Sequence, residues 1–349
     1  MPASSSASTS SPVSVSGHNI TISGGDYTAT IASIGATLRS LQYLRKTVSS
    51  QHGTELRHDS SPHENLPPDN SAGRDLIVPF AADEVRPAYR GALLAPWPNR
   101  VIDGAYAFNG QTQQLALTEP ARRHALHGLA AWLDFTVVDQ SHSSVTLEAE
   151  IVAQTGYPHR VKVRATYTVD TAGLHTTVVG TNLGDTEAPW GLGAHPYLIA
   201  GSGRLDEWEL TLPASRILTV VGERLIPAGV EEVSSAREGY FDFRHSRNIG
   251  STQIDHAFTE LARDSHAHTT VVARAPQGTG VRLILGQECP WVHIYTSDRP
   301  GTPADRIGLA VEPMTCPPDA YNSGTNLIVL QPGESAPASW TIDALEANF

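Results

Sequence analysis

Residues 161–169 read Val-Lys-Val-Arg-Ala-Thr-Tyr-Thr-Val, with an apolar side chain at every second position and a polar one between. Successive side chains of a β-strand point to opposite faces, so this alternation predicts a strand with one buried face and one solvated face. Residues 145–151, Val-Thr-Leu-Glu-Ala-Glu-Ile, show the same period. Period-two alternation is therefore the signal that decides the fold class.

The same signal recurs along the chain between clusters of Gly, Pro, Asn and Asp. Further short strands are expected at residues 18–23, 29–34, 208–212, 269–273, 281–285, 326–330 and 339–342. Long stretches with helical period are missing, and residues 303–306 could form one turn of helix at most. Strands without intervening helices pair antiparallel, so we expect an all-β chain built as a sandwich or barrel.

The domain organisation is predicted to be simple. The chain has 349 residues, and large all-β domains often reach such a length as one unit. Residues 1–16 are rich in Ser, Ala and Thr and are expected to be a disordered tail, followed by a single domain over residues 17–349. The polar segment 49–73 is expected to be a long surface loop between two core strands.

Charge and composition restrict the partners. The formal net charge is −12, which argues against nucleic acid or an anionic membrane as partner and is compatible with a neutral ligand such as a sugar. There is no apolar run of membrane-spanning length, and the N-terminus lacks the features of a signal peptide. Cys289 and Cys316 form no disulfide framework. We therefore expect a cytoplasmic protein.

Two segments present polar side chains on shaped loops. The first is residues 91–101, where Pro96 and Pro98 precede Asn99 and Arg100; a turn with a surface arginine would explain it equally well. The second is His124-Ala-Leu-His127-Gly. Its odd spacing points the two imidazoles to opposite faces of a strand, which disfavours a shared metal. One of them could bind a ligand in a cleft, and a hydrogen-bonded core histidine is as good an explanation.

A third segment, Gly191-Leu-Gly193-Ala-His195-Pro, holds one imidazole between glycines that allow close backbone approach and a proline that restricts its conformation. Histidine is the side chain best suited to proton transfer near neutral pH, so His195 is a candidate acid or base. At Asp255, within residues 254–258, a turn-capping aspartate is the default interpretation.

Glu312 follows an apolar stretch, Ile307-Gly-Leu-Ala-Val, and precedes several prolines. A glutamate at the end of a buried strand is a candidate for a desolvated carboxylate with a raised pKa, which suits a general base. A carboxylate in water at the rim of the fold fits this segment equally well. The chain has no nucleophile elbow, P-loop, GxGxxG followed by a helix, or HExxH motif, which argues against a nucleotide-dependent enzyme.

Taken in order, these segments resemble the aldose 1-epimerase (galactose mutarotase) family. The resemblance rests on five segments spread over nearly the whole chain after the tail: Asn99-Arg100 with residues 104–110, Leu126-His127-Gly128, Gly193-Ala-His195-Pro-Tyr197, Asp255, and Glu312 with Pro318-Asp-Ala and Asn322. It implies the large antiparallel β-sandwich (supersandwich) of that family. Pro196-Tyr-Leu and Met314-Thr-Cys-Pro depart from the family's better-known pattern beside two of these residues, which leaves the identity of the sugar open.

The resemblance also implies roles. Glu312 would be the base that takes the proton of the anomeric hydroxyl, and His195 the acid that protonates the ring oxygen. Asn99, Arg100, His127 and Asp255 would bind the sugar. Trp291 would stack on its apolar face, unless it is a core tryptophan. The substrate would be a free aldohexose, the protein a monomer or homodimer, and neither a cofactor nor a metal would be needed.

Three other functions are compatible with parts of the sequence. A glycoside hydrolase would use Asp255 and Glu312 as a carboxylate pair. A non-catalytic carbohydrate-binding sandwich would need no acid and base. A family member acting on a phosphorylated or sulfonated sugar would need basic residues near the cleft, for which Arg86, Arg90 and Arg100 form the one close cluster in the sequence.

Overall fold

The computed structural model describes residues 13–44 and 73–347. Within these ranges the chain forms 27 strands and a few short helical turns. The strands are β1 (Asn19–Gly24), β2 (Tyr27–Ala32), β3 (Thr37–Tyr43), β4 (Arg74–Asp75), β5 (Leu93–Leu94), β6 (Arg100–Ile102), β7 (Ala105–Phe108), β8 (Gln111–Gln114), β9 (His124–Leu126), β10 (Thr136–Gln140), β11 (Ser144–Ile151), β12 (Val161–Asp170), β13 (Gly173–Asn182), β14 (Ala188–Trp190), β15 (Gly193–Ala194), β16 (Tyr197–Leu198), β17 (Glu209–Thr211), β18 (Ala214–Val221), β19 (Ile226–Glu232), β20 (Arg247–Asn248), β21 (Asp255–Leu261), β22 (Thr269–Arg274), β23 (Gly280–Leu285), β24 (Trp291–Tyr295), β25 (Leu309–Met314), β26 (Ile328–Leu330) and β27 (Ser335–Leu345). The helical turns are 3₁₀ segments at Pro87–Tyr89, Ala130–Trp132, Leu205–Glu207 and Ala236–Gly239, and one α-helical turn, α1 (Ala320–Ser323).

A nine-stranded antiparallel sheet forms one side of the molecule. Its strand order is β10-β11-β12-β13-β27-β23-β22-β17-β20. The alternation at residues 161–169 is confirmed: the apolar set on β12 is buried, and the residues between face outward or are partly exposed. Tyr167 lies on the buried face, and its hydroxyl donates to the carbonyl oxygen of Ala36 at 2.6 Å. One face of this sheet is therefore packed against the core.

An eight-stranded antiparallel sheet forms the other side, in the order β19-β18-β21-β24-β25-β15-β5, with β16 also paired to β25. On β24 and β25, Val292, Ile294 and Val311 belong to the main core. His293 lies between Val292 and Ile294, and Glu312 follows Val311. His293 and Glu312 pair directly across the two strands, and their side chains point to the opposite face. This outer face carries polar side chains that strand alternation excludes from the core.

One continuous cluster of buried side chains contains residues of both large sheets, which makes the molecule a sandwich. Trp190, Tyr157 and Phe258 are among its largest fully buried members. A four-stranded sheet, β1-β2-β3-β4, and the pairs β14-β26, β6-β9 and β7-β8 complete the described part of the chain. The prediction of an all-β, antiparallel β-sandwich is confirmed.

Several other expectations meet the structure in detail. All seven shorter predicted strands correspond to strands of the structure, although their ends differ by a few residues, whereas α1 was not predicted. Residues 1–12 of the predicted tail and 49–72 of the predicted loop lie outside the described residues; at the end of the tail, the backbone N–H of Ser16 donates to Ala82. Both cysteines are buried and unpaired. Among the described residues, no helix is long and apolar enough to span a bilayer.

Candidate active site

A cavity of about 480 Å³ opens on the outer face of the eight-stranded sheet. Its volume lies within the range of small-molecule sites. Six of the seven residues predicted to form the site line it: Asn99, Arg100, His127, His195, Asp255 and Glu312. They come from five separate segments of the sequence, and the fold places their side chains around one cavity.

Glu312 lies in the middle of β25 and is 1% exposed. Its Oε1 is 3.3 Å from Nε2 of His195, and its Oε2 is buried with no hydrogen-bond partner in the part of the chain that the structure describes. Burial raises the pKa of Glu312 to about 7, although the charges of His293 and Arg100 act in the opposite direction. Of the two interpretations left open by the sequence, the desolvated carboxylate is the one the structure has.

His195 lies between β15 and β16, and both its backbone and its ring contact neighbouring residues. Its N–H donates to Ala92, and its carbonyl oxygen accepts from Gly91. Its ring stacks on Tyr197, with centroids 5.0 Å apart and planes 9° apart. Burial, reinforced by the neighbouring His293, lowers the pKa of His195 to about 3. An imidazole fixed in this way keeps its Nε2 directed at Glu312.

Glycine brings the backbone close to this histidine. A Cβ at Gly193 would lie 3.0 Å from the carbonyl oxygen of Pro313 and equally close to Pro98. A Cβ at Gly191 would lie 2.5 Å from Sγ of Cys316. The glycines are therefore explained by close packing of β15 against β25 and the proline loop, and not by a left-handed backbone.

Asn99 and His127 fix each other. Both have left-handed backbones, with φ of 55° and 61°. The N–H of Asn99 donates to Nδ1 of His127, and the N–H of His127 donates to the carbonyl oxygen of Asn99. Burial holds the pKa of His127 well below its usual range. The hydrogen-bond network thus assigns a neutral ring whose Nε2 carries the hydrogen and can donate to a ligand.

The two histidines of this segment do diverge. His124 is fully buried, and its Nε2 lies 2.9 Å from the carbonyl oxygen of Arg224. Its Nδ1 accepts from the N–H of Asp103. His124 is therefore a hydrogen-bonded core residue, and His127 is the one that lines the cavity.

His127, His195 and Glu312 offer ligand atoms within 4.8 Å of one another, close enough to hold a metal ion. The donor set does not suit one. Nδ1 of His127 already accepts from Asn99, so the nitrogen directed at the cavity is protonated and has no lone pair for a metal. The arrangement suits hydrogen bonding to hydroxyl groups better than metal coordination.

Arg100 is a buried guanidinium whose three nitrogens all contact other side chains. Its Nε and Nη2 donate to the two oxygens of Glu119, at 2.8 and 3.1 Å. Its Nη1 lies 3.7 Å from Oδ1 of Asp255. Glu119 is held in turn by Arg122 at 2.9 Å. Nη1 also donates to Oδ1 of Asn99 at 3.4 Å. The fork geometry fixes the guanidinium plane, and the second hydrogen of Nη1 remains for a ligand.

Asp255 begins β21 and accepts from Nε2 of His293 at 2.8 Å. Burial alone would raise the pKa of Asp255, but the hydrogen bond from His293 and the charge of Arg100 outweigh it and hold the pKa well below its usual range. Asp255 is therefore an ionised acceptor beside a carboxyl group, Glu312, that burial tends to keep protonated.

Four further residues line the cavity and were not predicted from the sequence: Glu119, His293, Arg237 and Arg299. The sequence does contain a signal for His293. It stands at the centre of an apolar segment, Trp-Val-His-Ile-Tyr, and burying a histidine there costs free energy unless the ring is hydrogen-bonded. Glu119 had none, because only the pairing of β6 with β9 places its segment beside Arg100.

Trp291 does not line the cavity. Its ring packs with Leu218, Ala257 and Met314, and its indole N–H donates to Asn326 at 2.9 Å. The alternative of a core tryptophan is therefore correct, and the stacking role is not. Trp291 and His293 share a face of β24, but Trp291 lies two residues before His293, where Leu218, Ala257 and Met314 pack around it.

The predicted cluster of Arg86, Arg90 and Arg100 does not form at the cavity, although four arginines line it: Arg100, Arg122, Arg237 and Arg299. Arg86 is buried, donates to Thr37 and Ala131, and its guanidinium covers the ring of Trp132. Arg90 donates to Pro79. Of the three arginines in that cluster, only Arg100 lines the cavity.

Comparison with known proteins identifies the relatives of this chain. A family model described as aldose 1-epimerase matches residues 63–342. An uncharacterized protein from Escherichia coli K12, YihR, is 32% identical over 320 residues, which is 91% of each chain. The galactose mutarotase of Homo sapiens is 27% identical over 241 residues, covering 64% of this chain and 68% of the human one.

Solved structures support the fold. A GalM/aldose epimerase homologue from C. elegans superposes with a TM-score of 0.76 at 20% identity, covering 95% of this chain and 99% of that one. The galactose 1-epimerase from Lactobacillus acidophilus gives a TM-score of 0.71 at 19% identity, covering 94% and 95%.

Proposed function

Because this chain belongs to the aldose 1-epimerase family, we propose that it is a mutarotase that interconverts the α and β anomers of a free aldose. The observation that carries the proposal is the contact of 3.3 Å between the buried carboxylate of Glu312 and Nε2 of His195. An acid and a base held this close, inside a cavity lined by hydrogen-bonding groups, suit two proton transfers on one small molecule.

The reaction moves two protons and no other atoms to or from the protein. Glu312 takes the proton of the anomeric hydroxyl while His195 delivers one to the ring oxygen. The bond between C1 and the ring oxygen breaks, and C1 becomes an aldehyde. Rotation about C1–C2 presents the other face of the aldehyde, and the reverse transfers close the ring. No covalent intermediate with the protein is required.

This mechanism requires that Glu312 and His195 together carry one proton. With the pKa of Glu312 raised to about 7 and that of His195 lowered to about 3, the empty site holds that proton on Glu312 at intermediate pH. Its transfer to His195 creates the reactive arrangement of base and acid. The two groups therefore titrate as a coupled pair, and the active form is the one with a single proton.

The remaining groups bind the sugar hydroxyls. Arg100 supplies Nη1, Asp255 supplies an ionised acceptor, and His127 supplies an Nε2–H donor. Asn99 lines the cavity, and its Oδ1 accepts from the backbone N–H of Arg100, so it shapes the loop that presents both residues. Vicinal hydroxyls of a pyranose can pair with a donor and an acceptor placed side by side.

A binding module would not need this pair. Burying an ionisable carboxyl group without a compensating hydrogen bond on Oε2 costs stability, and binding alone gives no reason to retain it. Perturbed pKa values clustered in a cavity favour a catalytic function.

Polarimetry tests the proposal. Purified protein is added to freshly dissolved α-glucose and α-galactose, and the optical rotation is followed against a protein-free control. We expect a faster approach to the same final rotation. Release of reducing sugar from a glycoside would indicate a hydrolase instead, and the absence of any acceleration with a panel of free aldoses would reject the mutarotase.

A further inference from the structure

His293 occupies a position that strand geometry makes special. It lies at the centre of β24, directly opposite Glu312 in the register with β25, and is 3% exposed. The residues on either side of it, Val292 and Ile294, are buried in the core. A histidine in this place gives up hydration, so its retention calls for contacts that repay the loss.

Those contacts connect His293 to the site. Its Nε2 is 2.8 Å from Oδ1 of Asp255, the same oxygen that Nη1 of Arg100 approaches to 3.7 Å. Both contacts use Oδ1 of Asp255, a residue that lines the cavity. The other ring nitrogen of His293, Nδ1, is buried with no hydrogen-bond partner among the described residues. The ring thus fixes one carboxylate while it lies beside the second.

We propose that His293 is a positioning residue of this reaction: it holds Asp255 for the sugar and, from directly across Glu312, governs how Glu312 and His195 share their proton. The proposal rests on the mutarotase function proposed above and extends it to a residue outside the acid–base pair.

The charged and titratable groups that surround this region come from several elements. They are Tyr89 in the first 3₁₀ segment, Arg100 on β6, Glu119 and Arg122 before β9, His127 after it, His195 and Tyr197 at β16, Arg237 in the last 3₁₀ segment, Asp255 and His256 on β21, Tyr295 at the end of β24, and Asp298 and Arg299 after it. Burial has the largest influence on the pKa of Glu312 and on that of His195, and the charge of a protonated His293 has the next largest influence on each. It lowers the pKa of Glu312 and that of His195. Removing the imidazole should therefore raise both.

The test separates this role from a structural one by using two substitutions. In His293→Gln, the carboxamide can still donate to Asp255 but cannot carry a proton charge. We expect little change in KM, while the alkaline limb of kcat/KM moves upward by roughly 1 pH unit, as for removal of a nearby charge. In His293→Leu, Asp255 also loses its donor, so KM should rise roughly tenfold. His142→Gln, an exposed histidine outside the cavity, is the matched control.

A second readout does not depend on activity. The titration of the Glu312 side-chain carboxyl carbon, followed by NMR in wild type and His293→Gln, should shift upward in the variant, and thermal unfolding shows whether each variant is folded. Superimposable titrations would overturn the proposal, as would equal changes in His293→Gln and His142→Gln. If the NMR shift is found but wild-type protein accelerates no aldose, the mutarotase function fails while the coupling of His293 to Glu312 stands.

Discussion

Glu312 and His195 each handle one proton in the proposed reaction, so each should be needed for turnover and neither for folding. We expect Glu312→Gln and His195→Asn to lower kcat by about 10²–10⁴-fold, the usual contribution of a positioned acid or base. Polarimetry at saturating sugar measures the loss. Near-normal turnover in either variant, with folding verified by circular dichroism, would remove that residue from its assigned role.

The sign of the pH dependence tests the coupled pair. The active form carries one proton, and the proton that leaves at the higher pKa sits on Glu312, whose pKa is raised to about 7. We therefore expect kcat/KM to fall as the pH rises through about 7, after subtraction of the spontaneous rate. An increase through the same range would mean that ionised Glu312 works with a proton donor other than His195.

At the residue scale, much of the site could be predicted, and the reason for each miss is physical. Asn99, His127 and His195 stand in segments where Gly or Pro shapes the backbone, which is a local signal. Glu119 and His293 depend on pairing between distant strands, which local patterns do not contain. Trp291 was predicted to line the cavity but does not. Alternation shows which face of a strand a residue occupies, but it does not show how far along that face the cavity extends.

At the scale of elements, the turn after β9 sets the position of His127. Gly128 follows it with φ of 70°, and a Cβ there would lie 2.2 Å from the carbonyl oxygen of Ala95. Gly128→Ala should therefore cost more than the about 1–3 kcal/mol of left-handed strain alone. Because His127 is the preceding residue, kcat/KM should fall as well. Urea unfolding and polarimetry measure the two effects.

Gly110 is the matched control for this prediction. Its φ is 75°, but a Cβ there would have no neighbour within 4 Å. Gly110→Ala should show only the backbone strain and leave activity unchanged. Equal losses of stability in the two variants would mean that contact with Ala95 contributes nothing.

At the scale of the whole molecule, the buried acid opposes stability. The pKa of Glu312 is about 7 in the folded protein, against 4.5 for an ordinary glutamate. A raised pKa means that the folded state binds more protons, so stability falls as the pH rises from about 4.5, and the full cost is present above about 7. Glu312→Gln should therefore be more stable than wild type above pH 7, by on the order of 1–3 kcal/mol.

Thermal or urea unfolding on both sides of this pH window checks the prediction. Below about 4.5 the carboxyl group is protonated in both states, so the advantage of glutamine should vanish. A gain in stability of the same size at acid and alkaline pH would instead indicate better packing of the amide, with no contribution from ionisation.

The whole fold was predictable in class and not in topology. Alternation at β11 and β12 was enough to predict antiparallel strands and a sandwich. The neighbours β13 and β27 are joined across more than 150 residues of chain, as Thr181 pairs with Ser335, and such pairings depend on the packing of the complete core. The single helical turn α1 was missed because four residues are too few to show a period.

The alternation along β24 and β25 also bears on how such a protein can change over generations. Val292, Ile294 and Val311 belong to the core between the sheets, while His293 and Glu312 line the cavity on the other side of the same two strands. A lineage can therefore change the lining of the cavity through substitutions at alternate positions, without a new backbone and without disturbing the interior. Solved structures that share this fold at 19–20% identity show that the same architecture accommodates very different sequences.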